Sequence, residues 1–178
     1  LAHTYFGNLV TAYGPGGNEF LAEGLATYIG IKTAADVAAG AEDALFAQLL
    51  ARFMGSDTPD APIVQIRPMQ NVLSGEAYNK GALVFNELAR LVGEERLWRL
   101  LGAFIARHEG GFVTLEDFRR LVREEAWPQL ACFEGHRALL DRFFAQYLDS
   151  TALPWVEIAA ADHRALGRCE LTVRNRGD

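Results

Sequence analysis

Stretch after stretch of this sequence places apolar residues three and four positions apart, and most of these stretches stop at glycine or proline. That spacing follows the 3.6-residue period of a helix, so the chain is expected to be mainly α, each helix buried along one stripe. Over 41–54 the stripe is Leu45, Leu49 and Phe53. From about Ser74 to Val92 it is Ala82, Phe85, Leu88 or Ala89, and Val92, with Gly93 as the stop. Glu94-Glu95 opens the next helix, where acidic side chains suit the positive end of the dipole. Its inward face is Leu97, Leu100, Leu101, Phe104 and Ile105, and Gly110-Gly111 ends it. Thr114-x-x-Asp117 reads as a capping box with Asp in the place of Glu. The helix behind it buries Leu115, Phe118, Leu121 and Val122 and closes at Pro128. A last helix over 134–149 puts Leu139, Leu140, Phe143, Phe144 and Tyr147 inside.

Breaks in this pattern are equally legible. Tyr13-Gly14-Pro15-Gly16-Gly17-Asn18 is a loop, and helix resumes from Glu19 to about Thr33 with Asn18 as its N-cap. Residues 55–70 hold Pro59, Pro62 and Pro68 around a short apolar piece, and read as loop. The character changes at Leu153-Pro154. Trp155-Val156-Glu157-Ile158 and Cys169-Glu170-Leu171-Thr172-Val173 read as strands, the second ending in the turn-like Asn175-Arg176-Gly177-Asp178. Two strands alone are marginally stable in water. Residues 153–178 are therefore expected to begin a β-sandwich-like domain that the sequence truncates, after a helical part spanning 1–152.

A chain of 178 residues can bury roughly 70% of its unfolded surface and needs no disulfide staples. Cys132 and Cys169 form no C-x-x-C pair and are read as two buried thiols, a disulfide between them being the alternative. The net charge of -6, from 23 acidic against 17 basic residues, argues against a nucleic-acid partner, since such proteins present a basic face. The apolar runs fall far short of the roughly 20 residues of a membrane-spanning helix. Oligomeric state and compartment are set by nothing in the sequence, and a cytoplasmic location is only the default.

The informative stretch is the first thirty residues. Leu1-Ala2-His3 is followed by Phe6-Gly7-Asn8-Leu9-Val10-Thr11, and then by Leu21-Ala22-Glu23-Gly24-Leu25-Ala26-Thr27-Tyr28. Together they resemble the zinc-site region of the alanyl-aminopeptidase (aminopeptidase N) family of metallopeptidases, in the gluzincin clan. That family's pattern runs H-E-L-A-H-Q-W-F-G-N-L-V-T, then a glutamate within L-N-E-G-F-A-T-Y. Tyr78-Asn79-Lys80-Gly81-Ala82 is similar to the family's Y-x-K-G-A. The run Gly111 to Phe118, and Phe143-Phe144 with the Pro154 strand beyond, resemble it as well, so the likeness covers most of residues 1–160.

The resemblance implies the C-terminal helical part of a thermolysin-like catalytic domain that removes N-terminal residues from peptide substrates with a zinc cofactor. A catalytic zinc takes three protein ligands and keeps a fourth position for water. By resemblance His3 is the second histidine ligand, Glu23 the third ligand, and Tyr78 the catalytic donor to the tetrahedral oxyanion. The motif's first His and its general-base Glu would then precede Leu1, and the chain is expected to be a fragment starting inside H-E-x-x-H. Such a fragment is expected to be nearly inactive alone and to bind zinc weakly.

The sequence departs from the pattern in places. Nineteen residues separate His3 from Glu23 where the family has eighteen, and the Gly14-Pro15-Gly16-Gly17 loop can absorb one. Tyr5 stands in place of the family's Trp, and Ala22 in place of the Asn before the ligand glutamate. The G-x-M-E-N element that grips a substrate's amino end would lie upstream. A related gluzincin of other specificity and a non-catalytic relative acting as a binding or scaffold module are the alternatives. Glu19 and Lys80 read as solvated helix charges, Asp117 as a helix N-terminal charge, and His108, His136 and His163 as structural or surface residues.

Overall fold

A computed structural model of the chain describes residues 2–38, 40–57, 60–66, 76–126, 135–151, 156–164 and 168–175. Helices dominate. A short α1 (Ala2–Tyr5) leads into strand β1 (Thr11–Ala12), and a π-turn, Phe20–Gly24, runs directly into α2 (Leu25–Val37). Helix α3 (Ala41–Met54) and a single 3-10 turn at Ile63–Gln65 follow. A second π-turn, Glu76–Lys80, feeds α4 (Gly81–Val92), and Gly93 separates α4 from α5 (Glu94–His108). Strand β2 (Phe112–Val113) precedes α6 (Leu115–Glu125) and α7 (Gly135–Tyr147). The chain then forms a hairpin of β3 (Val156–Arg164) and β4 (Arg168–Asn175), antiparallel with a register shift between Ile158 and Ala160. Among the described residues no helix is long and apolar enough to cross a membrane.

Helix α4 lies at the centre. It buries Ala82, Val84, Phe85, Asn86, Leu88, Ala89 and Val92, a wider face than the expected stripe. Phe85 stacks on Phe20 with ring centroids 4.4 Å apart, and Phe118 of α6 meets both rings edge-on. The expected inward faces of α3, α5 and α6 are buried or packed against this core, including Leu49, Phe53, Leu97, Leu100, Leu101, Phe104, Leu121 and Val122. Full burial of such a side chain contributes about 1.5–3 kcal/mol. Lys32 of α2 holds Glu42 of α3 and Glu94 of α5, each at 2.7 Å, and so ties three helices at one point.

Several expectations are corrected. Leu139 is exposed, and the inward face of α7 is Leu140, Phe143 and Phe144, with Tyr147 at its edge. Asn18 caps nothing: its amide donates to the Gly14 carbonyl at 3.2 Å, and the helical run has already begun there. The loop over 55–70 contains the 3-10 turn, whose Ile63 is fully buried. The hairpin strands are longer than expected. Pro59, Pro68, Pro128, Cys132, the Leu153-Pro154 boundary and the turn at 176–178 lie outside the described residues, as do the side chains of His136, His163 and Cys169.

The capping box is present as expected. Thr114 Oγ1 accepts from the Asp117 backbone N–H at 3.2 Å, and Asp117 Oδ2 accepts from the Thr114 N–H at 2.9 Å. The Thr114 hydroxyl, donating to Asp117 Oδ2 at 2.7 Å, and then the Thr114 N–H hold the Asp117 carboxyl below the usual carboxylate range, since both favour its charged form. A depressed native pKa makes the contribution to stability complete above the unfolded value and lost as pH falls through the native one. Asp117→Ala is therefore expected to destabilise the fold by about 1 kcal/mol at pH 7 and by much less near pH 2. Urea unfolding of both proteins at the two pH values checks this; an undiminished difference in acid contradicts it.

Candidate metal centre

His3 sits on the single turn of α1, and the residues after it fix its ring. Phe6 and Val10 are buried and bridge to each other, which folds the segment back on itself. Gly7 makes the reversal at φ +113, a backbone conformation that L side chains rarely adopt, and its N–H donates to the Val10 carbonyl at 2.9 Å. Asn8 donates its side-chain amide to the His3 carbonyl at 2.9 Å. His3 Nδ1 lies 3.3 Å from the Phe6 carbonyl oxygen. With the proton on Nδ1, that contact is a hydrogen bond and the Nε2 lone pair points outward, as in a metal-binding imidazole. The segment is then fastened to the rest of the fold. Leu9 to Tyr13 bond to Gly110, Gly111 and Val113, and β1 pairs with β2 in parallel, Thr11 opposite Phe112.

Glu23 stands in the π-turn Phe20–Gly24, whose Phe20 and Leu21 are buried. Its Oε2 lies 3.2 Å from His3 Nε2. Two donors on one tetrahedral zinc, each about 2.0–2.2 Å from the ion, are themselves about 3.3–3.6 Å apart, a spacing close to the one here. The separation thus fits a shared ion, and both side chains remain reachable, 53% exposed for His3 and 22% for Glu23. Among the described residues no group of three or more His, Cys, Asp or Glu side chains could hold a metal. The pair presents two donor atoms, where a catalytic zinc takes three protein ligands.

Tyr78 occupies the second π-turn, Glu76–Lys80, and its hydroxyl faces the Glu23 carboxylate. Burial first, then the charge of Glu23 and its capacity to accept from the phenol, and last Glu19 raise the phenol above its ordinary pKa. Glu19, one helical turn before Glu23, is half-buried, and its carboxyl is pushed up by burial and by Glu23. All three residues singled out from the sequence, His3, Glu23 and Tyr78, thus meet at one place. His108 stands apart, edge-on to Phe104.

The two π-turns are in backbone contact. A Cβ added to Gly24 would lie 2.9 Å from Gly81 Cα and 3.0 Å from the Ala77 carbonyl oxygen, and one added to Gly81 would lie 2.9 Å from Gly24 Cα. Only two facing glycines allow that approach, and it sets Glu23 beside Tyr78. A π-turn bulges the helix and re-aims its side chains, a device frequent at functional sites. Nothing in the hydrophobic spacing signals either π-turn. The Glu23-Gly24 and Lys80-Gly81 pairs are the only trace, and the close approach is visible only once the turns face each other. Lys80, read as solvated, is buried, its ammonium bonded to Asp60.

Residues 1–147 match the family model described as the peptidase family M1 domain. The chain is also similar to several solved structures. One is a two-domain M1 zinc metallopeptidase, in mutant form, bound to L-arginine, at 24% identity and a TM-score of 0.68 over 85% of this chain. Another is an M1 zinc metallopeptidase from Deinococcus radiodurans, in mutant form bound to a Tyr-Ser-Ala substrate, at 23% identity and a TM-score of 0.69 over 86% of this chain. The same values hold for the Deinococcus radiodurans M1 zinc metallopeptidase as such. At these identities the likeness is one of fold. This chain spans 32% of the length of each of these structures. No curated protein matches it.

Proposed function

Because the chain belongs to peptidase family M1, we propose that it carries the His3–Glu23 half of a zinc centre for the removal of N-terminal residues from peptides. The observation that supports this most is the 3.2 Å approach of His3 Nε2 to Glu23 Oε2, with Nδ1 turned toward a backbone carbonyl. His3 and Glu23 would hold the ion. Bound there, zinc supplies an acidified water and a polarised peptide carbonyl. In the family's motif a first histidine ligand and a proton-accepting glutamate complete such a pair.

Tyr78 is the remaining part of the machinery. Its hydroxyl faces the Glu23 carboxylate, and its side chain is 37% exposed, open to a substrate lying across the site. A phenol O–H fixed there donates a hydrogen bond to the oxygen that gains negative charge in the tetrahedral state. Glu23 holds the phenol in reach before substrate arrives. Restriction to the first residue of a peptide requires groups that grip a free amino end.

The test is made on the intact protein. One zinc per chain is expected, with hydrolysis of aminoacyl anilides that ceases on chelation and returns with zinc. N-terminally acetylated anilides should be left uncut. Full activity after complete metal removal would overturn the zinc reading, and equal cleavage of acetylated substrates would overturn the aminopeptidase reading alone.

A further inference from the structure

Lys80 is the one charged residue among those described that falls in the buried class, its side chain only 4% exposed. Its ammonium donates to Asp60 Oδ1 at 2.8 Å, to Asp60 Oδ2 at 3.0 Å and to the Ala61 carbonyl at 3.2 Å, and it lies 5.9 Å over the Phe53 ring of α3. A lysine ammonium has three donors, and all are engaged. A buried ion pair is a poor way to gain stability, since a well-packed apolar pair of the same volume often does as well or better. Directionality is what an apolar pair lacks. Lys80 fastens the last residue of the Glu76–Lys80 turn to the Asp60 carboxylate and the Ala61 carbonyl, and the next residue, Gly81, sits against Gly24. Tyr78 lies two residues before this anchorage, with an exposed side chain that depends on its backbone for placement.

We propose that Lys80, held by Asp60, is a positioning residue for Tyr78: it sets the turn that brings the phenol to the substrate side of Glu23. This rests on the reading of Tyr78 given above. Its effect belongs to the transition state rather than to metal binding, because His3 and Glu23 lie on other elements.

The test is a kinetic cycle on the intact protein with an aminoacyl anilide. Lys80→Met is expected to lower kcat on the order of 10- to 100-fold, the scale of an ångström-sized misplacement, with zinc content and KM near wild type. In a Tyr78→Phe background the same change should alter kcat by less than about twofold, because its route through the phenol is gone. Equal losses in both backgrounds, or loss of zinc from a well-folded Lys80→Met, would overturn the proposal. Asp60→Asn leaves Lys80 in place without its counter-charge and should show the same pattern; it carries the test alone if Lys80→Met does not fold. A neutral Tyr78→Phe would instead overturn the reading of Tyr78, and this proposal with it.

Discussion

On the proposed zinc reading, replacing Glu23 by alanine is expected to strip the intact protein of stoichiometric zinc and to abolish peptide hydrolysis. The carboxylate supplies one of the two donors that this chain brings together, 3.2 Å from His3 Nε2. Removing an outer partner of a metal ligand typically costs about 10–100-fold in affinity, and removing the ligand itself should cost more than that. The fold should survive. Glu23 is partly exposed, and the burial of its turn comes from Phe20, Leu21 and Gly24. Metal analysis after dialysis, paired with a thermal melt, separates the two effects. A variant that melts like wild type and still holds one zinc per chain with unchanged affinity would remove Glu23 from the ligand set.

Tyr78→Phe should give the second large effect, of a different kind. Zinc stays, KM changes little, and kcat falls about 10²–10³-fold, the loss typical of one oxyanion donor. The substitution deletes a single hydroxyl from a partly exposed ring, so the packing around it is untouched. A drop confined to KM would mean that the phenol binds substrate without favouring the transition state.

The helices were legible because their apolar spacing is a local property. Phe85, Leu88 and Val92 had to face inward on any helix drawn through them, and they do. Leu139 and Leu140 show where this fails: adjacent leucines at the margin of a stripe are told apart only by what packs against them, and Leu140 alone is buried. The pairing of β1 with β2 joins segments about a hundred residues apart, and no local pattern announces such a partner. The capping box was readable since both its residues lie in one short motif.

For the site the balance differs. His3 and Glu23 carry no physical mark in the sequence that separates them from ordinary surface residues; a family motif singled them out, and the fold brings them together. What the motif did not disclose is how its other letters act. Gly7 and Asn8 shape the turn that aims the His3 ring. Lys80 owes its burial to Asp60, twenty residues earlier, and so reads as a solvated helix charge until the loop is seen folded over it.

The facing glycines carry a last consequence, for how such a protein should be dissected. Alanine scanning subtracts atoms and asks what is missed. At positions 24 and 81 there is nothing to subtract, and alanine itself is the intrusion, one methyl forced into a gap already closed. The spacing between the carboxylate and the phenol is kept by an emptiness that only an added carbon can probe.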